Sequence, residues 1–132
     1  MNDRTHTVYV SNNQNGDFPG TVSLINTATC NGSHTTGCAG HKPAVRVGRS
    51  PGNVAVDQAN NTVYVANFAS ATVSILNAAN CQAGRTGGCR TAVHSQPVGS
   101  VPQGIAIDPT IRSVYVSTLL GPGYMSIFKA SP

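Results

Sequence analysis

The chain has 132 residues, 39% of them hydrophobic and 9% charged, with no Glu and no Trp. That length holds one small domain at most, and the composition has too little charge for a disordered polyelectrolyte and too much Val, Ile and Tyr for a flexible linker. The net charge of +4 comes from Arg4, Lys42, Arg46, Arg49, Arg85, Arg90, Arg112 and Lys129, scattered rather than gathered into the dense patch that specific nucleic-acid binding usually needs.

Met1-Asn2-Asp3-Arg4 leads straight into the strand-like Thr7 to Ser11, so no signal peptide is expected in this chain. Asn12 to Gly20 is polar and reads as a loop. Thr21 to Asn26 is a second strand by its β-branched content. A Gly-rich polar stretch with Cys30 and Cys38 follows, then a strand over Pro43 to Val47 and a turn over Gly48 to Gly52. Asn53 to Asp57, Thr62 to Asn67 and Thr72 to Asn77 are strands. The loop carrying Cys81 and Cys89 leads to a weaker strand within Thr91 to Val98. Gly104 to Asp108, Ser113 to Ser117 and Tyr124 to Lys129 close the series. No helix-period segment or membrane span appears. Val63, Tyr64, Val65 and Ala66 run together without a polar break, the pattern of a strand covered on both faces.

The order is a repeat. Gly48, Pro51, Asp57 and Tyr64 recur as Gly99, Pro102, Asp108 and Tyr115, each 51 residues on. Cys81, Cys89 and Val73-Ser74 match Cys30, Cys38 and Val22-Ser23 at the same distance, whereas Tyr64 lies 55 beyond Tyr9. The four extra residues of the first copy fall between Tyr9 and Val22, as insertions in repeats fall in loops. With the strands of one unit labelled A to D, the chain reads BCD-ABCD-ABC. Four strands per repeat of this length suggest a β-propeller blade. The expected fold is all-β, an incomplete propeller of four-stranded antiparallel blades. The partial first blade spans 5–48, the complete second 51–98 and the partial third 102–130, in one domain over 1–132.

PGNVAVD (51–57), NTVYVAN (61–67) and TVSILN (72–77), met again by 102–108 and 113–117, resemble the YVTN-type propeller repeat of the YncE-like proteins. The third copy departs from it, with Thr118 where Asn12 and Asn67 stand and Tyr124-Met125-Ser126 in place of Thr-Val-Ser. The Cys-bearing loops lengthen the short form of the repeat. The resemblance implies a binding or scaffold module. It also admits a fragment of a propeller enzyme, lactonase-like or carrying a redox cofactor, or a propeller binding DNA or another anionic polymer. In such folds loops B–C and D–A surround one mouth of a central channel. Those loops are here Asn12 to Gly20, Phe68 to Ala71, Leu119 to Gly123, Gly48 to Pro51 and Gly99 to Pro102, with Arg49, Phe68 and Ser100 as candidate ligand-face residues.

The chemistry-bearing residues are sparse. Cys30 with Cys38 and Cys81 with Cys89 read as two local disulfides, implying an oxidising, extracytoplasmic compartment. Free thiols, or a metal site using His34 and His41, are the competing readings, although this spacing is wider than zinc sites use. Asp57 and Asp108 end strand A and are expected to accept hydrogen bonds from the following turn, with the same structural turn role for Asn12 and Asn67. Tyr9, Tyr64 and Tyr115 are expected to pack between blades with their hydroxyls at the edge. His6, His34, His41 and His94 share no repeat position, and no nucleophile, phosphate or dinucleotide motif is present. Asn31-Gly32-Ser33 and Asn60-Asn61-Thr62 match the glycosylation pattern, a short motif that is frequent by chance. No catalytic residue, metal or cofactor is therefore expected. Open sheet faces at both ends call for a protein partner, or further copies of the chain, to complete the propeller.

Overall fold

The computed structural model of the chain describes residues 1–14, 17–120 and 124–130. It is all-β. Three antiparallel sheets follow one another along the chain. The first contains β1 (Thr7–Asn12), β2 (Pro19–Asn26) and β3 (Ala44–Arg49). The second contains β4 (Pro51–Asp57), β5 (Thr62–Asn67), β6 (Thr72–Asn77) and β7 (Val93–Pro97). The third contains β8 (Ser100–Asp108), β9 (Ser113–Leu120) and β10 (Met125–Lys129).

The repeated sequence produces a repeated register. Thr7 pairs with Asn26 and Tyr9 with Leu24 in the first sheet, as Thr62 pairs with Asn77 and Tyr64 with Ile75 in the second. In the third sheet Tyr115 pairs with Ile127 and Val114 with Phe128. His6, Asn61 and Arg112, each just ahead of the strand that bears the tyrosine, all have left-handed φ near +50°. The same tight corner is thus made three times.

The sheets stack face to face, and the alternation of side chains along each strand decides what meets what. One face of the first sheet, with Tyr9, Val22 and Leu24, packs against Val63, Val65 and Leu76 of the second. The opposite face of the second, with Tyr64, Val73 and Ile75, packs against Val114, Val116 and Phe128 of the third. The rings of Tyr64 and Phe128 lie 6.1 Å apart and tilted. Sandwiched between two neighbours, β5 is buried at every residue, which explains its unbroken apolar run.

Several boundaries differ from the sequence reading. The Gly48–Gly52 segment is not a broad turn: β3 runs through Arg49 and β4 starts at Pro51, leaving only Ser50, at φ 50°, between sheets. Pairing of Pro51 with Asn67, past a bulge, extends β4 into residues whose Gly and Pro content suggested a turn. The expected loop over Asn12 to Gly20 loses both ends to strands, and its residues 15 and 16 lie outside the described ones. Leu119 and Leu120 belong to β9, while residues 121–123 of that expected loop also lie outside the described ones. β10 begins at Met125, one residue after Tyr124. A single 3-10 turn, Thr36–Cys38, sits in the first cysteine loop.

Candidate binding surface

The antiparallel order brings the end of β1 and start of β2, the end of β5 and start of β6, and the end of β9 and start of β10 to one end of the sheets, together with both crossings between sheets. Hydrogen bonds tie these segments together: Phe68 N–H donates to Ser50 O at 2.9 Å, and Val98 N–H to Ala71 O at 3.0 Å. Ser70 Oγ accepts from Arg49 N–H at 2.7 Å. This is the end on which the sequence placed its candidate ligand face.

Of its three residues, Phe68 is exposed directly after β5. Ser100 is exposed at the start of β8, paired with Leu120. Arg49 is partly committed to structure: its guanidinium reaches Asp17 Oδ1 at 3.5 Å and donates to Ala69 O at 3.3 Å. It thus ties the long first loop to the β5–β6 loop. Sequence reasoning missed Phe18, which is exposed on the same end just before β2. Leu119 and Leu120 are also exposed there. An aromatic residue inside the polar stretch around Phe18 was the available signal, since nothing local buries it.

Beneath this surface lies a polar joint that recurs. Asn67 Nδ2 donates to Thr72 Oγ1 at 3.1 Å and to Ser74 Oγ at 2.9 Å. Gly48 N–H, from the preceding sheet, comes within 3.4 Å of the same Ser74 Oγ. Asn12 Nδ2 likewise donates to Thr21 Oγ1 and Ser23 Oγ, and Gly99 N–H to Ser126 Oγ at 2.9 Å. Asn67 therefore acts as a donor across its hairpin, and its Oδ1 takes no turn N–H among the described residues, while Asn12 makes the same donation across the first hairpin. A side chain on Gly48 would collide with Asn67, its Cβ falling 2.6 Å from Asn67 Cγ.

At the opposite end, Asp57 Oδ1 accepts from Ala59 N–H and Asn60 N–H, and Asp108 Oδ1 from Thr110 N–H and Ile111 N–H. Asn26 and Asn77 cap the cysteine loops in the same way. Both disulfides, Cys30–Cys38 and Cys81–Cys89, are formed. No thiol is left for a metal, and among the described residues no group of three or more His, Cys, Asp or Glu converges. The second cysteine loop folds back onto the first sheet, where Cys81 O accepts from Tyr9 Oη at 3.0 Å and Ala83 N–H donates to Thr7 Oγ1. Burial pushes the Tyr9 phenol up to about 12, against a smaller opposing effect of a hydrogen bond with Thr5. Its hydroxyl is inside the joint rather than at an edge. Among the described residues no further sheet covers Tyr115, which stays half-exposed and does not pack between sheets as Tyr9 and Tyr64 do.

A cleft of about 410 Å³ opens between β3 and the second cysteine loop, lined by Ala44, Val45, Arg46, Cys89, Arg90 and Val93. The one ion pair among the described residues is Arg49–Asp17, so both arginines of this cleft lack an acidic partner.

Neither the described protein families nor the curated proteins contain a match to this chain.

Proposed function

We propose that the chain is a run of YVTN-type β-propeller blades. It acts as a non-enzymatic binding or scaffold module in an oxidising, extracytoplasmic compartment and takes a protein surface or peptide on its loop end. The observation that carries this reading is the set of exposed apolar residues there: Phe18 and Phe68 stand out from loops of the first and second sheets and Leu119 from the end of β9, beside the crossings. Aromatic anchors on a rigid scaffold are what protein-binding surfaces concentrate. The one-directional stacking of sheets supports the propeller arrangement, and the two disulfides support the compartment.

The test is a selection of peptides from a random display library against the oxidised protein. Phe18→Ala and Phe68→Ala should each weaken selected binders about tenfold or more, a loss of ~1.4 kcal/mol. Binders indifferent to both substitutions would refute the assignment of this surface.

The unpaired Arg46 and Arg90 favour a second reading, anionic-polymer binding along the cleft they line. Retention on heparin should then fall steeply with salt and be lost in the Arg46→Ser/Arg90→Ser double variant. Retention that ignores salt would remove this reading.

A further inference from the structure

The two internal sheet interfaces are built alike. In each, a tyrosine-bearing face meets a valine-bearing face of the next sheet. Tyr9, Val22 and Leu24 meet Val63, Val65 and Leu76, and Tyr64, Val73 and Ile75 meet Val114, Val116 and Phe128. Tyr64, Val73 and all four of these partner valines are fully buried as a result.

One face of each kind is left uncovered. The third sheet presents Tyr115, Met125 and Ile127, the counterparts by register of Tyr64, Val73 and Ile75. Met125 is 53% exposed and Ile127 61%. A hollow of about 300 Å³ lies over Gly104, Ile105, Ala106, Tyr115, Ser117 and Met125. At the other end, the first sheet presents Val8, Val10 and Ile25, the counterparts of Val63, Val65 and Leu76. Val10 is 40% exposed, whereas Val65 and Val116 at the same repeat position are at 0%.

The cysteine loops show the same asymmetry. The Cys81–Cys89 loop overhangs the preceding sheet, with Cys81 at 0% exposure and its carbonyl on the Tyr9 hydroxyl. The equivalent Cys30–Cys38 loop overhangs no sheet among the described residues, and its cysteines are half-exposed.

We propose that the occupant of each open face is a second copy of this chain, associating head to tail. The tyrosine face of one copy's third sheet seats the valine face of the next copy's first sheet. The Cys30–Cys38 loop of the second copy overhangs the first, its Cys30 carbonyl accepting from Tyr115 as Cys81 accepts from Tyr9. The two surfaces differ, so the contact is heterologous and grows into a ring or a ladder rather than a two-fold dimer. This inference rests on the repeat-stack reading above but not on the loop-end ligand surface.

Sedimentation velocity across a concentration series tests it, using Val10→Lys and Met125→Lys. Both positions are exposed, and matching circular dichroism confirms that each variant folds. The wild type should sediment as a ring of fixed copy number or as a ladder lengthening with concentration. Each variant, having one intact face, should run as a 13.5 kDa monomer. An equimolar mixture should form a species of twice that mass, because each variant supplies the face the other lacks. A monomeric wild type, a single variant that still associates, or a mixture that stays monomeric overturns the proposal. Peptide binding sensitive to Phe68→Ala would persist in the lysine variants whatever the association result, so the two readings fail separately.

Discussion

Val65 and Val10 occupy one position in two copies of the same strand, which makes them a measure of what sheet stacking contributes. Val65 is fully buried under the first sheet, whereas Val10 is 40% exposed. Truncating Val65 to alanine removes two buried carbons, ~1.6 kcal/mol at ~0.8 each. The unfilled space adds about 1 kcal/mol more, because sheets pinned on both sides relax little. Val65→Ala should therefore cost about 2–3 kcal/mol, and Val10→Ala under ~1. With a urea slope of ~2 kcal/mol/M, the first lowers the unfolding midpoint by roughly 1–1.5 M and the second by less than ~0.5 M. The measurement belongs in the Met125→Lys background, so that association does not add to apparent stability. Equal midpoint shifts for the two variants, or a negligible one for Val65→Ala, would refute the stacking account.

Two further substitutions probe the joints between sheets. Gly48→Ala drives a methyl within 2.6 Å of Asn67, which is buried and held by Thr72 and Ser74, whereas at Gly99 the nearest atom lies 3.2 Å away. Thermal unfolding should show a loss of ~1–3 kcal/mol for Gly48→Ala and clearly less for Gly99→Ala; equal losses would contradict the joint. Tyr9→Phe strips Cys81 O of its donor and should cost about 1–2 kcal/mol at neutral pH, read by urea unfolding. Tyr9 also sets an alkaline limit: the phenol ionises near 12 when folded and near ~10 when unfolded. The unfolded chain therefore loses this proton first, so stability is complete below ~10 and falls as pH rises towards 12. Tyr9→Phe should flatten that fall, and an unchanged alkaline profile would count against the buried phenol.

The strands were legible because the β-branched blocks around Tyr9, Tyr64 and Tyr115 recur, 55 and then 51 residues on, and because β5 lacks the polar alternation of a half-exposed strand. The disulfides were legible because Cys30–Cys38 repeats as Cys81–Cys89 within polar loops. The crossings were not. Gly48 to Gly52 carries every local mark of a turn, yet pairing of Pro51 with Asn67 keeps the chain extended. The donor role of Asn67 was hidden because it depends on hairpin register, which places Ser74 within reach seven residues on. Arg49 read as a ligand-face residue, and its tie to Asp17 was hidden because that partner is 32 residues away. Phe18 was not legible because the polar residues around it mark only a loop, and local sequence does not show that nothing covers its ring.

TVYV occurs at 7–10 and again at 62–65, and the two copies share strand, register and corner geometry. Thr7, Tyr9, Thr62 and Tyr64 are all buried, yet Val10 is exposed where Val65 is not. The difference is not in the tetrapeptide. It is in whether a sheet lies on the valine side. Local sequence thus sets the shape of each sheet, and burial is conferred by the neighbour. In such an array stability is shared between units and their interfaces. An added neighbour at either end would convert an exposed apolar face into an interface of the kind already made twice within the chain.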